Sequence, residues 1–268
     1  MSTTTTTFVA TDPAGYERFM GRWSQRLAPS FVEVAGVRTG EQVLDVGCGT
    51  GSLTLALMAA GVAAAVGVDP SRPYVEFART RTASPVLRFD VGDGTALPYR
   101  DGEFDRSLSM LMLDVVPDAA PVVAEMRRVT RRDGGVAGLV NDFRCGYPAF
   151  SMLWDTAAVL DPGFAELRAH LTGQPIGWPG GLTKLWAASG LTAVQEARLS
   201  IPFAYSSFAD YWATFTTGQG RTGAHLMSLP EPKRLEIEQH VRAAYGCGQP
   251  DGPRAFTTTF WTVRGLVP

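Results

Sequence analysis

The sequence predicts a doubly wound α/β fold: a mostly parallel seven-stranded sheet, its last strand antiparallel, carrying helical cap insertions. Three observations predict it. Short β-rich runs alternate with helical runs up to Asn141, the rhythm of parallel strands joined by crossover helices. A glycine-rich turn directly follows the first apolar strand. Two long intervals, about 146–181 and 205–252, interrupt the later strands and leave the earlier ones untouched.

Each element has its own signal. Val43-Leu44-Asp45-Val46 reads as the first strand, and the turn 47–51 leads into a helix through about Ala60, stopped by Gly61. Residues 65–68 form a second strand ending at Asp69, after which Pro70, at a first helical position, and Ser71 open a helix through about Arg81. Residues 86–91 and 104–110 are the third and fourth strands. A helix over 121–130 shows apolar spacing at Val122, Val123, Met126 and Val129, and the turn Asp133-Gly134-Gly135 precedes a fifth strand over 136–140. A helix over 182–189, ended by Gly190, feeds a strand over 193–204, and a last strand runs over 255–265. Residues 1–12, rich in threonine, read as a disordered tail, leaving 13–268 as a single domain. Most aromatic residues follow Asp142, which suggests an apolar lid over the carboxyl edge of the sheet, with ordinary packing of cap helices as the alternative for any single ring.

Composition narrows the function classes. With 45% hydrophobic residues in 268, the chain has enough apolar material for a sizeable core, so wholesale disorder is excluded. The 24 basic and 26 acidic side chains leave a net charge of -2, without the field that draws in a polyanion, so nucleic acid is not an expected partner. Cys48, Cys145 and Cys247 form no C-x-x-C pair, which argues against a disulfide framework or a cysteine-rich zinc site and for a reducing cytoplasm. The first basic residue is Arg18, so a signal peptide is not expected, and the apolar stretch 53–68 is too short for a span, giving no membrane partner. His170, His225 and His240 show no ligand spacing, so no metal is expected.

The most informative run is Val43-Leu44-Asp45-Val46-Gly47-Cys48-Gly49-Thr50-Gly51. Three alternate glycines after a buried strand let the chain turn sharply and bring backbone N–H groups close to a ligand, while the next helix offers its positive end. Asp69, about twenty residues on at the end of the second strand, is placed to accept ribose hydroxyls. Ser52 stands where the dinucleotide fingerprint has its third glycine, which ranks a nicotinamide cofactor second. Asp93, in Gly92-Asp93-Gly94-Thr95, either accepts from an adenine amine or forms an Asx turn.

Together these segments resemble the class I S-adenosylmethionine-dependent methyltransferases, particularly the small-molecule group with the loop V-L-D-V-G-C-G-T-G. Gly67-Val68-Asp69-Pro70-Ser71 is similar to that family's ribose segment, Gly92 to Pro98 with Phe104-Asp105 to its adenine segment, and Met126 to Gly135 to its turn before strand five. Tyr16-Glu17-Arg18-Phe19-Met20-Gly21-Arg22-Trp23-Ser24 resembles the N-terminal signature of one bacterial branch. The resemblance implies S-adenosyl-L-methionine as cofactor. Gly47, Cys48 and Gly49 would line its methionine moiety, with Asp45 near its amine. Asp69, followed by Pro70, would hold the ribose, and Asp93 and Gly94 would contact the adenine. Tyr16, Met20 and Trp23 would close over it, with Met110 beside it at the end of strand four; simple packing of the N-terminal helix is the alternative for the first three. Cys48 is small enough for the turn, and methyl transfer needs no covalent enzyme intermediate.

The implied activity is methyl transfer to an O, N or S atom of a small-molecule acceptor, with acceptor, methyl carbon and sulfur held collinear at about 3 Å and water kept out. A hydroxyl or thiol acceptor would gain about 10²–10⁴-fold from a base. The polar His pair often found in the family after strand four is replaced here by Asp114-Val115. Asp114 is the first candidate base, a helix N-cap being its alternative role, and His225, in a glycine-flanked segment, is the second. Asp142 could orient an acceptor, and Phe143, Tyr147, Trp154, Trp178 and Trp212 could line its pocket. The competing readings are an NAD(P)-dependent oxidoreductase and a non-catalytic cofactor-binding regulator of the same fold.

Overall fold

The computed structural model describes residues 11–268. The expected tail therefore lies outside the described residues except for its last two, of which Asp12 caps a helix by accepting from the Gly15 N–H at 3.0 Å. Helix α1 (Pro13–Tyr16) runs through a π-helical turn at Glu17–Gly21 into α2 (Arg22–Val34).

The alternation seen in the sequence then appears as β1 (Gln42–Val46), α3 (Ser52–Ala59), β2 (Ala64–Asp69), α4 (Arg72–Thr80), β3 (Leu87–Val91), β4 (Phe104–Met110), α5 (Ala120–Val129) and β5 (Thr130–Asn141). The later chain adds α6 (Pro148–Ala158), α7 (Pro162–Thr172), α8 (Gly181–Ala188), β6 (Thr192–Tyr205), α9 (Phe208–Thr216), α10 (Gly220–Ser228), α11 (Glu231–Gly246) and β7 (Arg254–Leu266). The seven strands form one sheet in the order β3-β2-β1-β4-β5-β7-β6. All pairs from β3 to β5 are parallel, and β7 runs antiparallel to both its neighbours. The chain reverses direction in strand order between β1 and β4, the switch point at which open α/β sheets bind ligands.

Two boundaries differ from expectation for local reasons. Pro70 is not helical: Ser71 is the N-cap of α4, its hydroxyl accepting from the Tyr74 N–H at 3.3 Å, and the proline of the first turn is Pro73. The turn expected at 133–135 is absorbed into β5, which follows α5 without a loop. Asp133 takes φ +60° there and donates its N–H to the carbonyl of Val267, the residue after β7, at 2.9 Å, so a tertiary contact stabilises what the local sequence marks as a reversal.

Side-chain alternation along β1 sorts the core into two layers. Val43 faces α2 and α3 with Leu27, Phe31, Leu53 and Leu57, whereas Leu44 and Val46 face α5 and α8 with Val122, Met126 and Trp186. Asp45 falls on the Val43 side, where only Thr54 of α3 answers it. At the opposite end of the sheet, buried Arg106 makes two bonds of 2.9 and 3.0 Å to Glu41 and one of 2.9 Å to the Ala35 carbonyl.

Helices α6, α7 and α9–α11 fill the two long intervals. They are tied to each other and to the N-terminus by the Tyr211 hydroxyl on the Ala149 carbonyl (2.8 Å) and by Arg22 on Asp210 (2.7 Å) and Thr214 (3.1 Å). Among the described residues no helix is long and apolar enough to cross a membrane, and no group of His, Cys, Asp and Glu could hold a metal ion.

Candidate active site

A cavity of about 300 Å³ opens over the carboxyl ends of β1 to β5, roofed by the N-terminal helices and by α6 and α10. One half is made almost entirely by loops of the parallel sheet. Gly47, Gly49 and Gly51 have φ of +76°, +53° and +90°, values that L side chains adopt only under strain, so the turn after β1 requires its glycines. A Cβ on Gly47 would lie 2.5 Å from Met112 Cγ. At Gly49 the nearest atom would be Tyr74 Cδ2 at 3.9 Å, so this glycine faces the open cavity. The N–H groups of Gly47 and Cys48 both donate to the Val68 carbonyl (2.8 and 3.1 Å), fastening the loop to β2.

Asp69 completes this half. Its Oδ2 accepts from the Gly49 N–H at 2.9 Å and its Oδ1 from the Ser71 N–H at 2.8 Å, which fixes the carboxylate while leaving each oxygen a lone pair. Burial raises its pKa, opposed by those two N–H bonds. Asp45 is buried more completely. Burial pushes its pKa to about 7, Thr54 opposing through a 2.6 Å hydroxyl bond and Asp69 adding repulsion. Burial likewise drives the Cys48 thiol well up, which removes it as a nucleophile at neutral pH. Asp93 does form the Asx turn, accepting from the Thr95 N–H and hydroxyl at 2.8 Å each, and still borders the cavity with Gly94 and Pro70.

The other half comes from distant segments. Asp114, beyond β4, caps no helix; its Oδ2 accepts from Asn141 twice, from Nδ2 at 2.6 Å and from the backbone N–H at 3.1 Å. Its Oδ1 and the Asn141 Oδ1 are buried and meet no hydrogen-bond donor. Burial raises the Asp114 pKa, opposed by the Asn141 bonds and the field of Arg221 from α10. Burial in turn lowers that of Arg221, opposed by Asp114. Met20, Met110, Phe143, Tyr147, Phe150, Trp154 and Leu171 supply the apolar wall. Leu111, at φ +61°, turns the chain out of β4 into this wall.

Several expected residues lie elsewhere. Trp23 does not line the cavity: it is 1% exposed and stacks on Phe203 at 4.4 Å, so this position of the N-terminal helix packs the core while Tyr16 and Met20 reach the cavity. His225 also stands outside, on α10 and not a loop, its Nε2 2.9 Å from Asp161 Oδ1, so it joins two cap helices. Asp142 turns away and accepts from the Cys145 N–H; Trp178 bonds the Thr172 carbonyl, and Trp212 stacks on Phe208. Sequence reading missed Asn141 and Arg221. The first was open to inference as the carboxyl end of a strand next to the switch point. Arg221 carries no local signal.

An adenosyl cation fits the loop half on these observations: the open face at Gly49, a fixed carboxylate on Asp69, and the buried Asp45, whose negative form gains from a nearby positive charge.

Comparison with known proteins agrees. A methyltransferase domain model matches residues 44–137, β1 through much of β5. The chain is 37% identical over 117 residues to methyltransferase GfsG of Streptomyces halstedii, covering 42% of each protein. It is 32% identical over 143 residues to a demethylmenaquinone methyltransferase of Lactobacillus johnsonii, covering 51% of this chain and 58% of that one. The matches thus span about half the length of these curated relatives. Among solved structures, Haemonchus contortus phosphoethanolamine N-methyltransferase 2, in complex with phosphomonomethylethanolamine and S-adenosylhomocysteine, superposes with a TM-score of 0.59 at 14% identity. That match covers 96% of this chain and 57% of that one. By sequence, residues 44–137 match a methyltransferase domain, and by fold the chain is similar to solved methyltransferases.

Proposed function

We propose that the protein transfers a methyl group from S-adenosylmethionine to a heteroatom of a small molecule in a reducing, cytoplasmic compartment, with residues 13–268 acting as one domain whose cap intervals shape the acceptor half. The observation that carries this reading is the joining of the glycine loop, Asp69 and the Asp114–Asn141 pair in one cavity. When bound, S-adenosylmethionine supplies an electrophilic methyl group on a cationic sulfonium. Gly47, Cys48 and Gly49 receive its methionine end and Asp45 its positive charge. Asp69 holds the ribose, and Asp93 and Gly94 border the adenine. Tyr16, Met20 and the aromatic wall exclude water, which strengthens every charge interaction inside.

Asp114 is the base. It lies beyond β4, the strand next to β1, and borders the same cavity as the loop half. With Oδ2 clamped by Asn141, its Oδ1 is the atom left to take a proton from the acceptor.

Calorimetric titration with S-adenosylhomocysteine tests the cofactor, and incubation of a metabolite extract with methyl-labelled cofactor tests transfer. Micromolar binding and a labelled product are expected, with turnover in Asp114→Asn down about 10²–10³-fold at unchanged S-adenosylhomocysteine affinity. Binding of NADH with none of S-adenosylhomocysteine would reverse the assignment. Tight binding with persistent failure to transfer label would favour a non-catalytic role.

A further inference from the structure

We propose that the acceptor half of the cavity is built for a neutral, planar hydroxyl compound of the phenol or conjugated-enol class, its O–H directed at Asp114 and Asn141 and its ring set among Phe143, Tyr147 and Trp154. The proposal rests on the methyl-transfer reading for the fate of the hydroxyl, but the subsite is argued from its own donors and acceptors.

Two buried acceptors, Asp114 Oδ1 and Asn141 Oδ1, receive no donor from another residue, a costly arrangement unless a ligand brings donors. The aromatic walls do not supply them. The Trp154 indole N–H is spent on Thr222 Oγ1 at 3.0 Å, and the Tyr147 hydroxyl points at the Met20 sulfur at 3.8 Å. The pair is also rigid, because both Asn141 donors converge on Asp114 Oδ2 and hold the carboxylate plane. The site therefore selects a ligand that donates, at one fixed place.

Charge and acidity narrow the donor. Arg221 lines the same cavity and acts on Asp114, so an ammonium ligand would meet a like charge while losing its hydration to apolar walls. A carboxylate ligand would meet Asp114 itself. A thiol is a weak hydrogen-bond donor and leaves the acceptors poorly satisfied. Among neutral hydroxyls, a phenolic O–H titrates near ~10 and lies within reach of a buried carboxylate, whereas an aliphatic alcohol does not. The rings favour a flat partner: Phe143, half-buried, meets Tyr147 at 5.3 Å and Trp154 at 5.9 Å, both edge to face, and all three wall the cavity that Asp114 and Asn141 border.

The chemistry balances. The O–H bond breaks and its proton passes to Asp114 Oδ1; the oxygen's electron pair forms the new bond to the methyl carbon as the carbon–sulfur bond of the sulfonium breaks onto sulfur. The neutral acid left on Asp114 returns its proton to solvent.

Four probes of one shape decide the matter, measured by calorimetry with S-adenosylhomocysteine present: 2-naphthol, 2-methoxynaphthalene, 2-naphthoate and 2-naphthylmethylamine. Naphthol should bind at least about 10-fold more tightly than each of the others, the worth of one well-made hydrogen bond to a charged group. In Asn141→Leu the preference over the methoxy compound should fall to about 3-fold or less, with S-adenosylhomocysteine affinity retained. If that variant does not fold, Asn141→Ser and the wild-type ratio carry the test. Equal or tighter binding of the ether, acid or amine, or binding of no probe by protein that holds S-adenosylhomocysteine, overturns the subsite. Loss of S-adenosylhomocysteine binding with the naphthol preference intact overturns methyl transfer and leaves the subsite standing.

Discussion

The two halves of the cavity are built by opposite means. The loop half draws on Asp45 to Gly51, Asp69, Pro70, Asp93 and Gly94, each at or just past the end of β1, β2 or β3, and much of its shape is backbone: positive-φ glycines and N–H groups whose positions follow once the parallel strands are in register. The cap half brings together Asp114, Asn141, Phe143 to Trp154 and Arg221, which are separated by long stretches of chain and meet only when the cap helices close on the sheet. Backbone geometry constrains sequence tightly and locally, whereas side-chain convergence across insertions constrains it loosely. The loop half is thus suited to one invariant ligand and the cap half to variation of the acceptor.

The sharpest way to break this division is at its seam, the N-terminal segment. Trp23 lies only a few residues from Tyr16 and Met20 but packs on Phe203 and Tyr205 instead of lining the cavity. Trp23→Ala should therefore cost about 3–5 kcal/mol of stability, as loss of a buried large ring does, while changing S-adenosylhomocysteine affinity less than about 3-fold in protein kept folded at low temperature. Denaturant unfolding and calorimetry read the two effects separately, and an affinity loss in step with the stability loss would place Trp23 in the site after all.

That same residue shows where sequence legibility ends. The strands, the glycine loop and Asp69 are readable because apolar runs and positive-φ glycines act within a few residues. The helix boundary at Ser71 is misread because Pro70 and Pro73 offer two starts, and only the cap bond to Tyr74 chooses between them. Trp23 and His225 fail for a different reason. A segment's presence over a cavity does not say which of its side chains faces in, since a helix turns about 100° per residue and the facing side is set by tertiary partners such as Phe203 and Asp161. Arg221 could be found only by folding the chain.

A smaller effect probes the loop half from within. Gly47→Ala must displace Met112 at its Cβ and Cγ, whereas Gly49→Ala enters open space at the cost of a left-handed residue alone, about 1–2 kcal/mol. S-adenosylhomocysteine affinity should fall by about 10²-fold for the first and about 5–20-fold for the second, read by calorimetry. The reverse order would mean that the Gly49 Cβ position, and not the backbone turn at Gly47, is where the ligand approaches most closely.

The smallest effect concerns the charge that the loop half keeps for its ligand. Burial holds the Asp45 pKa at about 7, well above that of an unfolded aspartate near ~4, so the folded, unliganded protein retains a proton that the unfolded chain has released. Its contribution to stability is full below about pH 4 and is lost as pH rises to about 7, where the buried carboxylate becomes charged. Asp45→Asn removes that charge and keeps an oxygen for the Thr54 hydroxyl. At pH 8 the unliganded variant should melt about 2–8 °C higher than the wild type, corresponding to roughly 1–2 kcal/mol, and the gap should vanish near pH 4. A cationic ligand has the opposite interest: it favours the charged carboxylate, so S-adenosylmethionine should bind the wild type with proton release between about pH 5 and 7 and should bind Asp45→Asn more weakly. Titrations in buffers of different ionisation heat measure the proton count. A pH-independent melting gap, or binding with no proton released, would mean that Asp45 only braces β1 against α3 and leaves the ligand's charge to Asp69.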